Sequence, residues 1–248
     1  MLKIIRARLR QGFHTSDYPA TDPVLPELFM GLPQLRQCAA DCRLCEGICP
    51  TGAISLKDGR PQLDLGLCIF CGACERNCPH QAIVFSRDHR LAANRREDLV
   101  CPDSFRLARE LENRSKRIFG RSLKLRQVSA AGCNACEADT NVLNTLVYDL
   151  GRFGIKFVAS PRHADGILVT GPVSENMREA LLKTYAAVPE PKLVIVVGAC
   201  AISGGIYSGH PETHDGAAGL LPVDLFIPGC PPHPYTILDG LLRLIGRL

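Results

Sequence analysis

The feature that most constrains this chain is a cysteine pattern stated twice. Cys38, Cys42, Cys45 and Cys49-Pro50 are followed by Cys68, Cys71, Cys74 and Cys78-Pro79. Past each fourth cysteine the likeness continues, as Cys49-Pro50-Thr51-Gly52-Ala53-Ile54 and Cys78-Pro79-His80-Gln81-Ala82-Ile83, so the segment is an internal duplication. Three closely spaced thiolates can wrap one inorganic cube while a fourth points away towards another. Two cubane iron–sulfur clusters need that supply of ligands. Structural zinc sites also use paired Cys-x-x-Cys sets, but eight cysteines with two Cys-Pro ends match the iron–sulfur pattern better. The chemistry indicated is electron transfer.

Over residues 33–90 the segment resembles bacterial-type two-cluster ferredoxins. That resemblance implies crossed ligation: Cys38, Cys42, Cys45 and Cys78 on one cluster, Cys68, Cys71, Cys74 and Cys49 on the other. The two runs differ at one point. Three residues separate Cys38 from Cys42, whereas two separate Cys68 from Cys71.

Thirteen cysteines in 248 residues is a high count, and it is odd and clustered. No apolar signal core follows the basic start Met1–Arg8, so a disulfide framework is not expected, and a soluble protein of the reducing cytoplasm is. The longest apolar stretch, near Leu193–Ile202, is too short to span a bilayer. The net charge of +4 is mild and aromatic and basic residues do not interleave, so nucleic acid is not an expected partner.

Four segments are expected. Residues 1–32 are rich in Pro, Thr and Asp without clear periodicity and read as a lead segment packing across a neighbour. Residues 33–97 form a small α+β two-cluster unit. Residues 98–123 read as a helical linker with cations Arg106, Arg109, Arg114, Lys116, Arg117 and Arg121, either a solvated face or a docking surface for an acidic partner. Residues 124–248 alternate strands and helices. Strands are expected at Leu123–Ser129, Ile155–Ala159, Gly166–Thr170, Lys192–Val197 and Asp224–Ile227. Helices are expected at Glu137–Gly151, Glu175–Ala187 after a Ser174 cap, and Thr236–Leu248 with an amphipathic pattern. Such alternation argues for an α/β fold, a parallel sheet covered on both faces as in flavodoxin-like domains.

Four more cysteines acquire meaning from that pattern. Cys133 follows the first expected strand, with Cys136 close behind. Cys200 follows the buried fourth strand and Cys230 the last. The carboxyl ends of parallel strands share one edge, so cysteines distant in sequence converge there and make a third cubane site. Each lies near a glycine, in Gly132-Cys133, Gly198-Ala199-Cys200 and Gly229-Cys230, and Gly171 fits the same edge. Cys101-Pro102 has no partner motif and reads as an unligated thiol.

Gly132-Cys133-Asn134-Ala135-Cys136-Glu137, Pro161-Arg162-His163-Ala164-Asp165, Leu168-Val169-Thr170-Gly171-Pro172-Val173, Gly198-Ala199-Cys200 and Pro228-Gly229-Cys230-Pro231-Pro232 resemble the small subunit of membrane-associated (group 4) [NiFe] hydrogenases. That family is similar to the formate hydrogenlyase small subunit and to the B-type, cluster-bearing subunit of NADH:quinone oxidoreductase. In the latter the first two cluster cysteines are typically adjacent; here Asn134 and Ala135 separate them, as in the hydrogenase branch. The resemblance implies a proximal [4Fe-4S] cluster on Cys133, Cys136, Cys200 and Cys230, three [4Fe-4S] clusters in all, and a partner large subunit holding the nickel–iron or related site. It also implies further subunits of a membrane-associated complex and a peripheral position on the inner face of the cell membrane. The remaining readings are a subunit of a nickel-free hydrogenase-related or NADH:quinone oxidoreductase complex, and a stand-alone electron carrier.

Glu137 matches an acidic position of the family motif and reads as a cluster-tuning or proton-relaying carboxylate, or as a charge favoured at a helix N-terminus. Arg162 and His163 are candidates for hydrogen bonding near the third cluster. Ser203-Gly204-Gly205 does not have the strand–glycine–helix setting of a dinucleotide site, and no P-loop is present. Direct NADH oxidation and nucleotide hydrolysis are therefore not expected. Nor is a flavin, because Gly132–Cys136 occupies the loop that would cradle its phosphate.

Overall fold

A computed structural model describes residues 2–39, 42–111, 119 and 121–248. α1 (Leu2–Gln11) contributes no buried residue. Beyond it the lead segment does pack across its neighbours. Tyr18 and Leu25 are buried, Tyr18 Oη donates to Asp239 Oδ1 at 2.9 Å, and Arg152 Nη2 donates to the Tyr18 carbonyl at 2.7 Å.

The duplicated segment follows as β1 (Pro33–Leu35), α2 (Leu44–Ile48), β2 (Ile54–Lys57), β3 (Arg60–Asp64), α3 (Ala73–Arg76) and β4 (Ile83–Phe85). β1 pairs antiparallel with β4, and β2 with β3. Asp58 and Gly59 close the β2–β3 hairpin, both at positive φ, the backbone that a two-residue turn between right-twisted strands demands. One helix of each half carries the third cysteine of its run, Cys45 in α2 and Cys74 in α3.

The helix expected over 98–123 does not form in its described part up to Leu111. β5 (Val100–Cys101) adds to β3, the chain turns at Pro102–Ser104, with Ser104 N–H donating to Val100 O, and then continues without regular structure, Ala108 N–H donating to Ala92 O and Leu111 N–H to Leu244 O. Pro102 cannot donate to a helix, and these tertiary hydrogen bonds replace helical ones. Arg114, Lys116 and Arg117 lie outside the described residues.

The remainder is a five-stranded parallel sheet of β6 (Leu123–Ser129), β7 (Ile155–Phe157), β8 (Gly166–Thr170), β9 (Leu193–Val197) and β10 (Leu225–Ile227), in spatial order β10-β9-β8-β6-β7. Counted by appearance that order is 2-1-3-4-5, the flavodoxin-like arrangement, and strand placement reverses direction between β6 and β8. All five strands fall within two residues of their expected ends. Alternate side chains serve opposite faces. Val128, Ile167, Val169, Val194, Val196 and Phe226 join a core shared with the duplicated segment, while Leu123, Leu125, Leu168, Ile195 and Ile227 join the other. Each such aliphatic side chain, once buried, contributes ~1.5–3 kcal/mol.

α4 (Ala135–Asn141), α5 (Glu175–Ala187), α6 (Ala199–Ser203) and α7 (Pro234–Leu244) complete the fold. α5 matches its expected bounds, although the Ser174 side chain makes no cap hydrogen bond. The helix expected over Glu137–Gly151 is shorter. After α4 the chain tightens through Val142–Asn144, turns extended at Thr145 and takes positive φ at Asp149. Val147 O accepts from Ser16 N–H, so the lead segment takes over backbone groups that a longer helix would have used. α7 is not amphipathic in the fold. Every residue of it except Arg243 is buried, because the lead segment covers the face that would otherwise meet solvent.

Several bonds lock the duplicated segment to the sheet. Ala93 and Phe226 exchange backbone hydrogen bonds of 3.0 and 2.8 Å, and Asn94 Nδ2 donates to Asp224 O. Arg96 forms a two-pronged pair with Asp64, at 2.8 and 2.7 Å. Ser203 Oγ donates to Gly66 O at 2.7 Å, placing the end of α6 against the loop that leads to Cys68.

Candidate metal centres

Four cysteines of the first group, Cys38, Cys42, Cys45 and Cys78, face one cavity walled by Leu44, Ile48, Pro61 and Ala82. Cys49, Cys68, Cys71 and Cys74 face a second, walled by Ile54, Leu63, Ile69 and Phe85. Cys74 borders both, so the cavities are neighbours. The fourth cysteine of each run does cross to the other run's cavity. Twofold use of one turn explains why. After Cys49-Pro50 and Cys78-Pro79 the chain bends through positive φ at Gly52 and Gln81. That bend aims the next N–H back at sulfur: Ala53 N donates to Cys49 Sγ and Ala82 N to Cys78 Sγ, each at 3.2 Å.

A second duplicated device escaped sequence reasoning although its signal was present. Glu46 and Glu75 each follow the third cysteine of a run. Glu46 Oε1 accepts from Leu56 N–H at 2.8 Å and Glu75 Oε1 from Phe85 N–H at 3.1 Å, tying each ligand helix to a strand ten residues on.

Burial pushes the Cys68 thiol up to about 12 and Cys74 up to about 11, the neighbouring sulfurs adding to the effect and backbone N–H groups opposing it. Cys38 and Cys45 are raised for the same leading reason. Thiols so crowded and desolvated are poor isolated anions but suit a polycation that takes their charge, and binding then releases their protons.

The third group assembles at the reversal point of the sheet. Cys133 and Cys136 follow β6, Cys200 opens α6 after β9, and Cys230 follows β10. Burial and then the charges of Cys200, Glu137, Cys230 and Cys133 raise Cys136, and Cys200 is pushed up to about 11 by burial and then by Cys230 and Cys133. An opposing effect on Cys200 comes from the Ile206 N–H. Cys230 reaches solvent, yet partial desolvation by its loop raises it, followed by Cys133 and by Cys71 of the second group. Cys230 lines one cavity with Phe70, the sequence neighbour of Cys71, and Ser203 of α6 bonds to Gly66, so the second and third groups lie side by side. Gly198 is required here: its φ is +92°, and a Cβ on it would stand 2.5 Å from Cys136 Sγ. Gly171 sits at the same edge, where a Cβ would stand 2.5 Å from Gly132 N.

Glu137 is buried at 5% exposure, and Oε1 accepts from both Ser129 Oγ (2.6 Å) and Thr170 Oγ1 (2.7 Å). It bridges the carboxyl ends of β6 and β8 directly behind Cys136. Arg162 and His163 do not reach the third group. They precede β8 and are exposed at its amino end, about 13 Å of strand from the cysteine edge. Ser203, notable in the sequence only as the start of a glycine pair, joins α6 to Gly66. Cys101 pairs in register with Leu63, is buried, and stands up to about 12 through burial and Asp64; it joins none of the three groups.

A flavodoxin-like sheet with cysteines gathered at its reversal point, behind a duplicated cysteine unit, defines an iron–sulfur electron-transfer subunit of the oxidoreductases. The family description "NADH ubiquinone oxidoreductase, 20 Kd subunit" matches residues 133–244, and "4Fe-4S dicluster domain" matches residues 37–83. The chain is 41% identical over 132 residues, 53% of its length, to the probable membrane-bound hydrogenase subunit mbhJ of Pyrococcus furiosus, 79% of which it spans. It is 42% identical over 128 residues, 52% of its length, to formate hydrogenlyase subunit 7 of Escherichia coli, spanning half of that relative. It is 43% identical over 117 residues, 47% of its length, to the B-type subunit of the NADH-quinone oxidoreductase of Citrifermentans bemidjiense, 68% of which it spans. The chain belongs to the 20 Kd subunit family that these hydrogenase and quinone oxidoreductase proteins share, with a 4Fe-4S dicluster domain fused ahead of it. No helix among the described residues is long and apolar enough to cross a membrane.

Proposed function

We propose that this chain is the electron-relay subunit of a hydrogenase-type complex of the formate hydrogenlyase kind, with three [4Fe-4S] clusters and a partner large subunit that carries a nickel–iron or related centre. The first cluster is held by Cys38, Cys42, Cys45 and Cys78, the second by Cys49, Cys68, Cys71 and Cys74, and the third by Cys133, Cys136, Cys200 and Cys230. When bound, these clusters supply one-electron redox chemistry at potentials set by hydrogen bonds to sulfur, net charge and exposure. The donor sets fit: each comprises four soft thiolates, with apolar walls around the first two.

The chain's own residues do the positioning. Ala53 and Ala82 N–H groups donate to ligand sulfurs, an arrangement that stabilises the more negative state and raises potential. Asp64, Arg96 and Ser203 hold the loop before Cys68 against α6, which carries Cys200. Cys74 borders both of the first two cavities, and Phe70 and Cys230 line a third together, which orders the relay as first group, second group, third group, partner.

The observation that carries this reading is the third group, built at the reversal point with Cys133 and Cys230 exposed and with Ile206 and Tyr207 exposed beside Cys200. A stand-alone carrier has no need to leave the innermost site bare beside apolar side chains; a subunit that docks a partner over it does. On the complex, peripheral placement at the inner face of the cell membrane follows through the other subunits. The test is metal analysis of anaerobically purified complex. About 12 irons per chain from three four-iron clusters are expected, with nickel co-purifying in a large subunit. Iron without nickel selects the nickel-free hydrogenase-related or quinone oxidoreductase alternative, and zinc in place of iron refutes the cluster assignment.

A further inference from the structure

The two halves of the dicluster unit are copies, yet their surroundings differ at one corner. His80 holds the place in the second copy that Thr51 holds in the first. Thr51 Oγ1 lies 3.8 Å from Cys49 Sγ and borders the second cavity. A ring nitrogen of His80, in contrast, forms a trio with Cys38 Sγ and Cys42 Sγ in which all three atoms lie within 4.8 Å of one another. Each iron of a cube takes one outer ligand, and a nitrogen this near to two ligand sulfurs is within reach of the iron that either of them serves. No other trio of His, Cys, Asp or Glu among the described residues comes this close. The extra residue that breaks the duplication falls in the same loop, between Cys38 and Cys42. Both departures from the repeat therefore involve Cys38 and Cys42, one in sequence and one in space, and five donors are available at the first site for four irons.

We propose that His80 is a nitrogen donor to the first cluster, able to take the iron that Cys38 serves. The inference rests on the ligand assignment above. In the exchange the bond from iron to Cys38 Sγ breaks and a bond from iron to the imidazole nitrogen forms. The nitrogen supplies its lone pair, the freed thiolate takes a proton from solvent, and no electron moves. A neutral ligand replaces an anionic one, which raises the reduction potential, as replacement of cysteine by histidine does in other iron–sulfur centres. The second group, with Thr51 at the equivalent place, has no such alternative among the described residues. The member of the pair that adjoins the third group then has fixed ligands, and the outer member is adjustable.

The experiment compares full-length Cys38→Ala, Cys38→Ala/His80→Ala and Cys45→Ala, each reconstituted anaerobically. Iron content, pulsed EPR for nitrogen coupling and redox titration of the reduced clusters are the readouts. Cys38→Ala is expected to keep about 12 irons, to acquire the 14N coupling of a bound imidazole on one cluster, and to titrate that cluster at a higher potential. The double variant and Cys45→Ala are expected to fall to about 8 irons, with unaltered signals from the other two clusters showing that the fold persists. The proposal is overturned if Cys38→Ala loses the first cluster as fully as Cys45→Ala, or keeps it without nitrogen coupling. Wild-type chain that takes up no first cluster overturns the ligand assignment itself, and this inference with it.

Discussion

Gly198→Ala tests the third site at its tightest point. Gly198 has φ +92° and ψ 153°, a region open essentially only to glycine, so any side chain there costs ~1–3 kcal/mol in backbone strain. Strain alone would lower stability and leave the metal sites intact. A second effect is specific: the new Cβ would stand 2.5 Å from Cys136 Sγ and 3.6 Å from Gly229 O, so the sulfur must move. Cys136 is tethered at the start of α4, and Glu137 beside it is fixed by Ser129 and Thr170, so the displacement cannot be absorbed by rotating a free side chain. The variant should lose the third cluster and keep the first two, falling from about 12 to about 8 irons per chain. Gly209→Ala is the matched control. Its φ is +76°, yet nothing lies within 4 Å of the added Cβ, so it carries backbone strain without a sulfur clash. Iron and acid-labile sulfide analysis, with EPR of the reduced protein and urea unfolding of both variants, separates the two effects. Gly198→Ala protein that retains about 12 irons and an unchanged third-cluster spectrum would refute the reasoning.

Arg96→Ala removes a two-pronged pair with Asp64 that is only partly exposed, and should cost ~1 kcal/mol in urea unfolding while weakening magnetic coupling between the second and third clusters; unchanged coupling would mean that the clasp does not set their separation. Cys101→Ala should leave the iron content intact, since Cys101 belongs to no cysteine group, and cost ~1 kcal/mol of packing; loss of four irons would make it a ligand. Burial holds His89 below the usual histidine range, so its neutral form is the one the fold prefers. Its contribution to stability is present above the unfolded value near ~6.5 and is lost as pH falls from there through the lower value of the folded state, at no more than ~1.4 kcal/mol per pH unit. His89→Gln should flatten the fall in urea midpoint below about pH 6.5, and an unchanged slope would assign the acid sensitivity elsewhere, His233 being a half-buried histidine also lowered by desolvation.

The grouping of the dicluster cysteines around two cavities was legible almost completely, because they are local in sequence and the repeat carries the turn chemistry with it. What stayed hidden there depends on backbone direction. The Ala53 and Ala82 N–H donors are visible only once the positive φ of Gly52 and Gln81 is known, and the Glu46 and Glu75 tethers only once their strands are placed. The sheet was legible for a different reason: β8 and β9 are continuous apolar runs, and burial on both faces leaves them no other conformation as favourable. Helix ends failed where neighbours competed for backbone groups. Val142, Leu143, Leu146, Val147 and Leu150 have helical spacing, but Leu146 and Val147 end up exposed and Val147 O serves Ser16. The misplacement of Arg162 and His163 was avoidable. Residues that enter a parallel strand lie at its amino end, and the same rule that gathers Cys133, Cys200 and Cys230 at the carboxyl edge puts those two on the opposite one.

The chain therefore gathers cysteines by two unlike means, and the difference bears on how the sites respond to change. In the dicluster unit each turn is a local solution, written twice, and three of the four cysteines at each cavity sit on one short loop, the fourth crossing from the other half. At the third site no ligand loop is sufficient. Cys133, Cys136, Cys200 and Cys230 meet only because β6, β9 and β10 are in register, and Glu137 holds β6 to β8 at the point where the strand order reverses. Damage to the sheet far from any sulfur should therefore cost the third cluster first. The shared core ties the two systems together. Leu63 and Leu65 of the dicluster unit pack in the same cluster as Val169, Val196 and Ile202 of the sheet, and Ser203 bonds across to Gly66. In a core packed at that density a shift on one side cannot stay there, so the separation between the second and third groups is a property of the whole fold and not of a linker.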